Sequence, residues 1–211
     1  MAARAVGLKL ASDPVSRGRR AAFLDRDGVI NVDHGYVFRR EDFEFVDGVL
    51  EASATLAGRG FALVVVTNQS GIGRGLYSED DFAALTAWMS ERFEAAGAAL
   101  AGVYHCPHHP VEARDAYRIE CDCRKPAPGM LLQAARELTI DLERSALFGD
   151  KRHDLEAAAA AGVPARILLG TNGERLPAAI EASLCSARFR SLADAVSSAG
   201  LWNLLGETSH A

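Results

Sequence analysis

Short apolar runs alternate with stretches of helical composition along this chain, and that alternation admits few folds. Ala21–Leu24, Phe61–Thr67, Gly102–His105, Ala146–Gly149 and Ala165–Gly170 are the strand candidates, and Phe61–Thr67, with three consecutive valines, is the strongest. Between them, Val49–Gly58, Ser78–Ala96, Gly129–Leu138 and Asp154–Ala161 are rich in Ala, Leu, Glu and Arg, residues that cost little to place in a helix. Ser78 followed by Asp81 reads as a capping box. Gly60, Gly97 and Gly162 stand where helices should stop. The expected fold is α/β: a doubly wound, Rossmann-like parallel sheet with helices on both faces. No linker divides the 211 residues. One domain is expected over 21–200, with an N-terminal extension at 1–20 and a tail at 201–211. Two more helices are expected near Pro177–Leu184 and Ser191–Ala199.

Charge narrows the partners. A formal net charge of −5 and a pI near 5.7 argue against nucleic acid, which asks for a basic face. Phosphorylated substrates stay open, because a local cluster of Lys, Arg and metal reverses the sign inside a site. No apolar stretch reaches the roughly 18 residues that span a bilayer. No apolar segment follows Arg4, Lys9, Arg17, Arg19 and Arg20, so neither a membrane nor a signal peptide is expected.

Three of the four cysteines, Cys106, Cys121 and Cys123, fall within eighteen residues beside His105, His108 and His109. Such clustering reads as a metal site in a reducing compartment, hence a cytoplasmic protein, rather than as a disulfide framework. Cys106-x-His108, followed after twelve residues by Cys121-x-Cys123, matches a closed tetrahedral Zn²⁺ site, with His105 and His109 as competing ligands. A closed site has no position for water, so the zinc is read as structural, pinning a loop over 105–125.

Reactive groups recur where the strand candidates end. Asp25 and Asp27 follow the first run, and Gly28 lets the chain turn away from them. Side chains two apart in extended chain point the same way, and open α/β sheets bind ligands at the carboxyl ends of their strands. One carboxylate can attack while the other moves a proton, which points to covalent phosphoryl chemistry. Thr67-Asn68-Gln69-Ser70-Gly71 follows the valine-rich strand with hydroxyls, amides and backbone N–H groups suited to phosphate oxygens. Arg124-Lys125-Pro126 offers a cation that neutralises charge on a transferring phosphoryl group. Gly149-Asp150-Lys151, with Asp154 four residues beyond Asp150, adds a carboxylate that would complete an oxygen-rich Mg²⁺ site.

This order of Asp-x-Asp, Thr, Lys and Asp resembles the haloacid dehalogenase (HAD) superfamily of phosphohydrolases over residues 21 to about 170. The resemblance implies that Asp25 is the nucleophile of an aspartyl-phosphate and Asp27 the general acid and then base. It also implies that Thr67 and Lys125 hold phosphoryl oxygens. Mg²⁺ would sit on Asp25, the Asp27 backbone carbonyl and Asp150, with Asp154 in support. More narrowly, Asn31–Val37, Glu41–Gly48, Cys106-Pro-His-His109 and Cys121-Asp-Cys-Arg-Lys-Pro126 resemble the heptose 1,7-bisphosphate phosphatases, relatives of the bacterial histidinol-phosphate phosphatases. That branch lacks a large cap domain. The implied activity is Mg²⁺-dependent removal of the 7-phosphate of D-glycero-D-manno-heptose 1,7-bisphosphate by a monomer. Asp33, His34, Gly35 and Tyr36 would line the sugar site, Asn68, Gln69 and Ser70 would contact phosphate or hydroxyls, and Arg124 and Lys151 would seat the far phosphate. Histidinol phosphate or another small phosphomonoester is the alternative substrate. A zinc-stabilised binding module is the alternative class, and the full acid–base set weighs against it.

Overall fold

The computed structural model describes residues 18–173, 180–181 and 183–207. Its strands are β1 (Ala21–Leu24), β2 (Ala62–Asn68), β3 (Leu100–Cys106), β4 (Ala146–Gly149), β5 (Ala165–Leu169) and β6 (Ala187–Phe189). All pair in parallel in the order β3-β2-β1-β4-β5-β6. The helices are α1 (Val49–Gly58), α2 (Ser70–Arg74), α3 (Glu79–Ala95), α4 (Gly129–Leu138), α5 (Arg152–Ala161), α6 (Leu192–Ser197) and α7 (Ala199–Leu204).

Burial on both faces explains why the central strands read as continuous apolar runs. Ala22 and Leu24 of β1, with Leu63 and Val65 of β2, face one core that α1, α3, α6 and α7 cover. Ala21 and Phe23, with Ala62, Val64 and Val66, face the other core under α4 and α5. The expected capping box is present: the Asp81 N–H donates to Ser78 Oγ at 3.1 Å, and the Ser78 N–H donates to Asp81 Oδ2 at 2.8 Å.

After β3 the chain returns to lay β4 beside β1, so the winding reverses between these two strands. A crevice forms at such a switch point, outside the carboxyl ends of the strands. Asp25 and Asp150 follow directly from β1 and β4 there, and Thr67 and Asn68 end β2 alongside.

Several boundaries differ from expectation. Strand β6 has an arginine at the middle of its three residues, and helix α2 contains Gly71 and Gly73; neither carries a periodic apolar signal. The expected helix near Pro177–Leu184 falls partly outside the described residues, and Ile180, Glu181, Ser183 and Leu184 are not helical. The domain also overruns both expected limits. Arg19 exchanges backbone hydrogen bonds with Thr139 and Asp141 at 2.9 and 2.8 Å. Leu201 and Trp202, placed in the tail, are buried in the core. The Arg59 guanidinium stacks 3.9 Å from the Trp202 ring centroid and pairs with Glu207 at 3.0 Å, while Arg20 pairs with the same carboxylate. The last helix therefore belongs to the domain. Trp202→Ala should destabilise the fold by about 3–5 kcal/mol, the usual cost of emptying a buried tryptophan site, read as a lowered urea midpoint. A peripheral tail would leave that midpoint unchanged.

Candidate active site

Lys125 organises the crevice. Its ammonium lies 2.9 Å from Asp25 Oδ1 and 2.6 Å from Asp154 Oδ1, and it donates to the Val66 carbonyl at 2.8 Å. Lys125, Asp25 and Asp154 are all buried. Burial opposes the charge on Lys125, but the two carboxylates outweigh it and raise its proton affinity. Burial works against ionised Asp154 as well, and Lys125 overrides it, holding that carboxyl below its ordinary range. Asp25 goes the other way. Burial pushes it up to about 7; Lys125 works against the rise, and the charges of Asp154 and Asp150 add to it. Both the Lys125 ammonium and the Arg26 N–H, at 2.8 Å, hold Asp25 Oδ1, and Oδ2 has no such donor among the described residues.

Asp27 sits in a cage of donors. Arg26 Nε and Nη2 reach its Oδ1 at 3.2 and 2.9 Å, and Nη2 reaches Oδ2 at 3.0 Å. Asn31 Nδ2 donates to Oδ1 at 3.1 Å and Gln69 Nε2 to Oδ2 at 2.9 Å. Arg26 is itself buried and donates to the Val37 carbonyl at 2.7 Å, tying the acid to the loop after β1. Sequence reasoning passed over Arg26. Its signal is an arginine between two aspartates directly after a strand with no exposure.

The segment after β2 behaves differently from expectation. Thr67, Asn68, Gln69 and Ser70 all line the cleft, yet two of the amides are already engaged. Asn68 donates to the Lys125 carbonyl at 3.1 Å and accepts its N–H at 3.0 Å, clasping the lysine's backbone. Buried Gln69 also donates to Thr67 Oγ1 at 2.8 Å and accepts from the Tyr77 hydroxyl at 2.5 Å. Both residues therefore brace neighbouring groups of the cleft as well as lining it.

Asp150 carries the clearest mark of a missing cation. It has no solvent exposure, its Oδ1 has no hydrogen-bond partner, and Oδ2 accepts from Thr171 Oγ1 at 2.9 Å. Burial raises it to about 6, against the pull of Lys151. Gly28, at φ 92°, passes so close that a Cβ there would strike this carboxylate. An orphaned, buried carboxylate oxygen beside a second carboxylate is what a hard divalent cation requires, so the residues fit Mg²⁺. Asp25, His153 and Asp154 also bring ligand atoms within 4.8 Å of one another, but Lys125 already neutralises two of them.

Farther out, Lys151 pairs with Asp33 at 3.0 Å. Burial opposes ionisation of Asp33, and Lys151 overrides it, lowering that carboxyl. Gly35 and Tyr36 line the cleft, Tyr36 half exposed with Arg74 5.4 Å from its ring centroid. His34 does not join them: it is exposed, turns to Glu44 at 3.3 Å and lines a neighbouring depression. Lying between Asp33 and Gly35 in a sharp turn, it points off the far side of the loop. Arg124 and His153 complete the cleft wall, and Arg124 Nη1 donates to the His108 carbonyl at 3.1 Å.

That carbonyl belongs to the Cys/His cluster. Cys106, Cys121 and Cys123 place their sulfurs 3.2–3.6 Å apart, and His108 Nδ1 lies 3.3 and 3.7 Å from two of them. A tetrahedral Zn²⁺ with Zn–S bonds of about 2.3 Å spaces its sulfurs about 3.7 Å apart, so the four ligands fit zinc with slight expansion. His105 pairs with Glu79 at 2.9 Å and His109 with Glu112 at 3.3 Å, which leaves the expected four as the cluster. Substituting Arg26→Met, which strips Asp27 and Val37 of a charged donor, should cost about 2–3 kcal/mol of stability in urea denaturation; an unchanged midpoint would mean the buried guanidinium is dispensable.

Known proteins resemble this chain in sequence and fold. Residues 122–195 match the HAD-hydrolase-like family model. A D-glycero-beta-D-manno-heptose-1,7-bisphosphate 7-phosphatase of Vibrio cholerae is 54% identical over 151 residues, covering 72% of this chain and 81% of that protein. The Escherichia coli K12 protein of the same name is 51% identical over 163 residues, covering 77% and 85%. The crystal structure of D,D-heptose 1,7-bisphosphate phosphatase from B. bronchiseptica, complexed with magnesium and phosphate, superposes with a TM-score of 0.69 at 31% identity, covering 84% of this chain and 96% of that one. With half its aligned residues shared across most of the length of these relatives, the chain belongs to the D-glycero-beta-D-manno-heptose-1,7-bisphosphate 7-phosphatase family of HAD-like phosphatases.

Proposed function

We propose that this protein hydrolyses the 7-phosphate of D-glycero-beta-D-manno-heptose 1,7-bisphosphate through an aspartyl-phosphate on Asp25. The observation that carries the chemistry is Asp25 itself: one oxygen is fixed by Lys125 and the Arg26 N–H, and the other is free at the head of a cleft. The substrate rests on what the relatives are named for, at 51–54% identity over most of their length.

Mg²⁺ held by Asp25, Asp150 and the Asp27 backbone carbonyl would supply the charge that lets a phosphate dianion approach a carboxylate. Asp25 Oδ2 attacks phosphorus, and the bond to the sugar oxygen breaks. Lys125 and Thr67 receive charge on the phosphoryl oxygens. Asp27 gives a proton to the leaving sugar oxygen, then takes one from the water that attacks the aspartyl-phosphate, returning Asp25 and freeing inorganic phosphate. Protonating Asp27 turns one of its acceptor positions into a donor, so this step releases one of the contacts from Arg26, Asn31 or Gln69. Asp33, Gly35 and Tyr36 face the sugar, and Arg124 and Lys151 offer cations to its hydroxyls and second phosphate.

Zinc in the Cys106, His108, Cys121 and Cys123 cluster would fix the loop that delivers Arg124 and Lys125. The same unpaired thiolates suit a reducing cytoplasm. Among the described residues no helix is long and apolar enough to cross a membrane. We take the working unit to be a monomer.

Asp25→Asn should retain the fold and lose turnover by several orders of magnitude, on the order of the 10⁴-fold or more seen when a nucleophile is removed; release of phosphate at the native rate would refute the nucleophile. Across a panel of both heptose bisphosphate anomers, histidinol phosphate and fructose 1,6-bisphosphate, kcat/KM should be highest for the β-heptose. A clear preference for histidinol phosphate overturns the substrate. Metal analysis of the purified protein should find about one zinc per chain, and Cys121→Ser should lose it together with activity.

A further inference from the structure

The turn that follows β5 touches three loops of the cleft at once. Thr171 Oγ1 donates to Asp150 Oδ2 at 2.9 Å. Asn172, in the left-handed region at φ 58°, gives its N–H to the Gly28 carbonyl at 2.9 Å and accepts the Asp33 N–H at 2.8 Å. The metal loop, the nucleophile loop and the sugar loop thus share one anchor.

The contact to Asp150 is asymmetric in a useful way. Oδ2 has the threonine hydroxyl, and the Lys151 ammonium stands 4.0 Å from it. Oδ1 has nothing, although the residue is completely buried. The Gly28 backbone crowds this same Oδ2 and leaves no space even for a methyl group beside it. A carboxylate wedged on one side and pinned through one oxygen presents its remaining oxygen in one direction only. Partners of this kind fix the orientation of a metal ligand, and their loss typically costs about 10–100-fold in metal affinity.

We propose that Thr171 is a positioning residue of the magnesium site: its hydroxyl holds Asp150 Oδ2 so that Oδ1 faces the ion. The inference rests on Asp150 as a ligand, as read above. Thr171 lies outside the Asp-x-Asp, Thr, Lys and Asp motifs that mark the catalytic groups.

The test is calorimetric titration of Mg²⁺ alone into the magnesium-free full-length protein. Thr171→Val keeps the side chain's shape and deletes the hydroxyl; it should weaken Mg²⁺ binding about tenfold or more. Thr171→Ser should restore it. Asn172→Gly, which disturbs the same turn without touching Asp150, should leave Mg²⁺ affinity at the native value. Native affinity in Thr171→Val, with binding lost in Asp150→Ala, overturns the role of Thr171 and keeps Asp150. Native affinity in Asp150→Ala instead removes Asp150 from the ligand set, and the proposal with it. Equal weakening in Thr171→Val and Asn172→Gly assigns the effect to the turn rather than to the hydroxyl, and also overturns the proposal.

Discussion

A single buried ammonium sets the terms for the rest of the cleft. Lys125 lies between Asp25 and Asp154, both almost without solvent. An unpaired charge in such surroundings costs several kcal/mol, so each of the three is tolerable only because the others are there. With Asp150 included, three carboxylates face one ammonium, since Lys151 is drawn toward Asp33. The surplus negative charge must be met by protons or by a cation. The raised proton affinities of Asp25 and Asp150 are the first of these solutions, and a divalent ion is the second. Burial makes Asp25 a reluctant anion, and the neighbouring carboxylates deepen the effect.

Holding that lysine in place takes much of the surrounding structure. Its backbone is clasped by Asn68 from the end of β2, and the loop that carries it passes through the four-residue thiolate and imidazole cluster. Arg124, one residue before it, is tied to the carbonyl of His108. The Cys/His cluster therefore stands one step behind the reactive groups. Arg124 and Lys125 follow its last residue, Cys123, directly, so the cluster borders both cations. The sheet supplies the complementary half, because Asp25 and Asp150 leave neighbouring parallel strands and emerge side by side with no loop to place them.

The layout of the sheet was legible because burial on both faces turns strands such as Ala62–Asn68 into unbroken apolar runs. The carboxylates at the strand ends were legible for the same reason, since Asp25 and Asp150 each follow directly from a run. What escaped were features whose partners lie far away in the chain. Arg26 looks like an ordinary surface charge until Val37 and Asp27 close around it. Asn68 and Gln69 carry the right groups for phosphate, but an amide's composition does not say what else it holds; here both line the cleft and also bond to protein. His34 shares a motif with Asp33 and Tyr36 and still pairs with Glu44 outside the cleft lining. Trp202 went unrecognised as core because the apolar face it completes is built by residues more than a hundred positions earlier, Arg59 among them.

The meeting of Arg20 and Arg59 with Glu207 has a practical geometric consequence. Arg20 leads into β1, so this contact lies at the amino-terminal edge of the sheet, the side away from the crevice. The first and last described elements thus exit together from the molecule's back. An affinity handle or surface anchor fused beyond Glu207 would orient the protein with its mouth toward the bulk. A short bridge from Glu207 back to Arg20 would also allow the polypeptide to be reopened elsewhere, as circularly rearranged variants require.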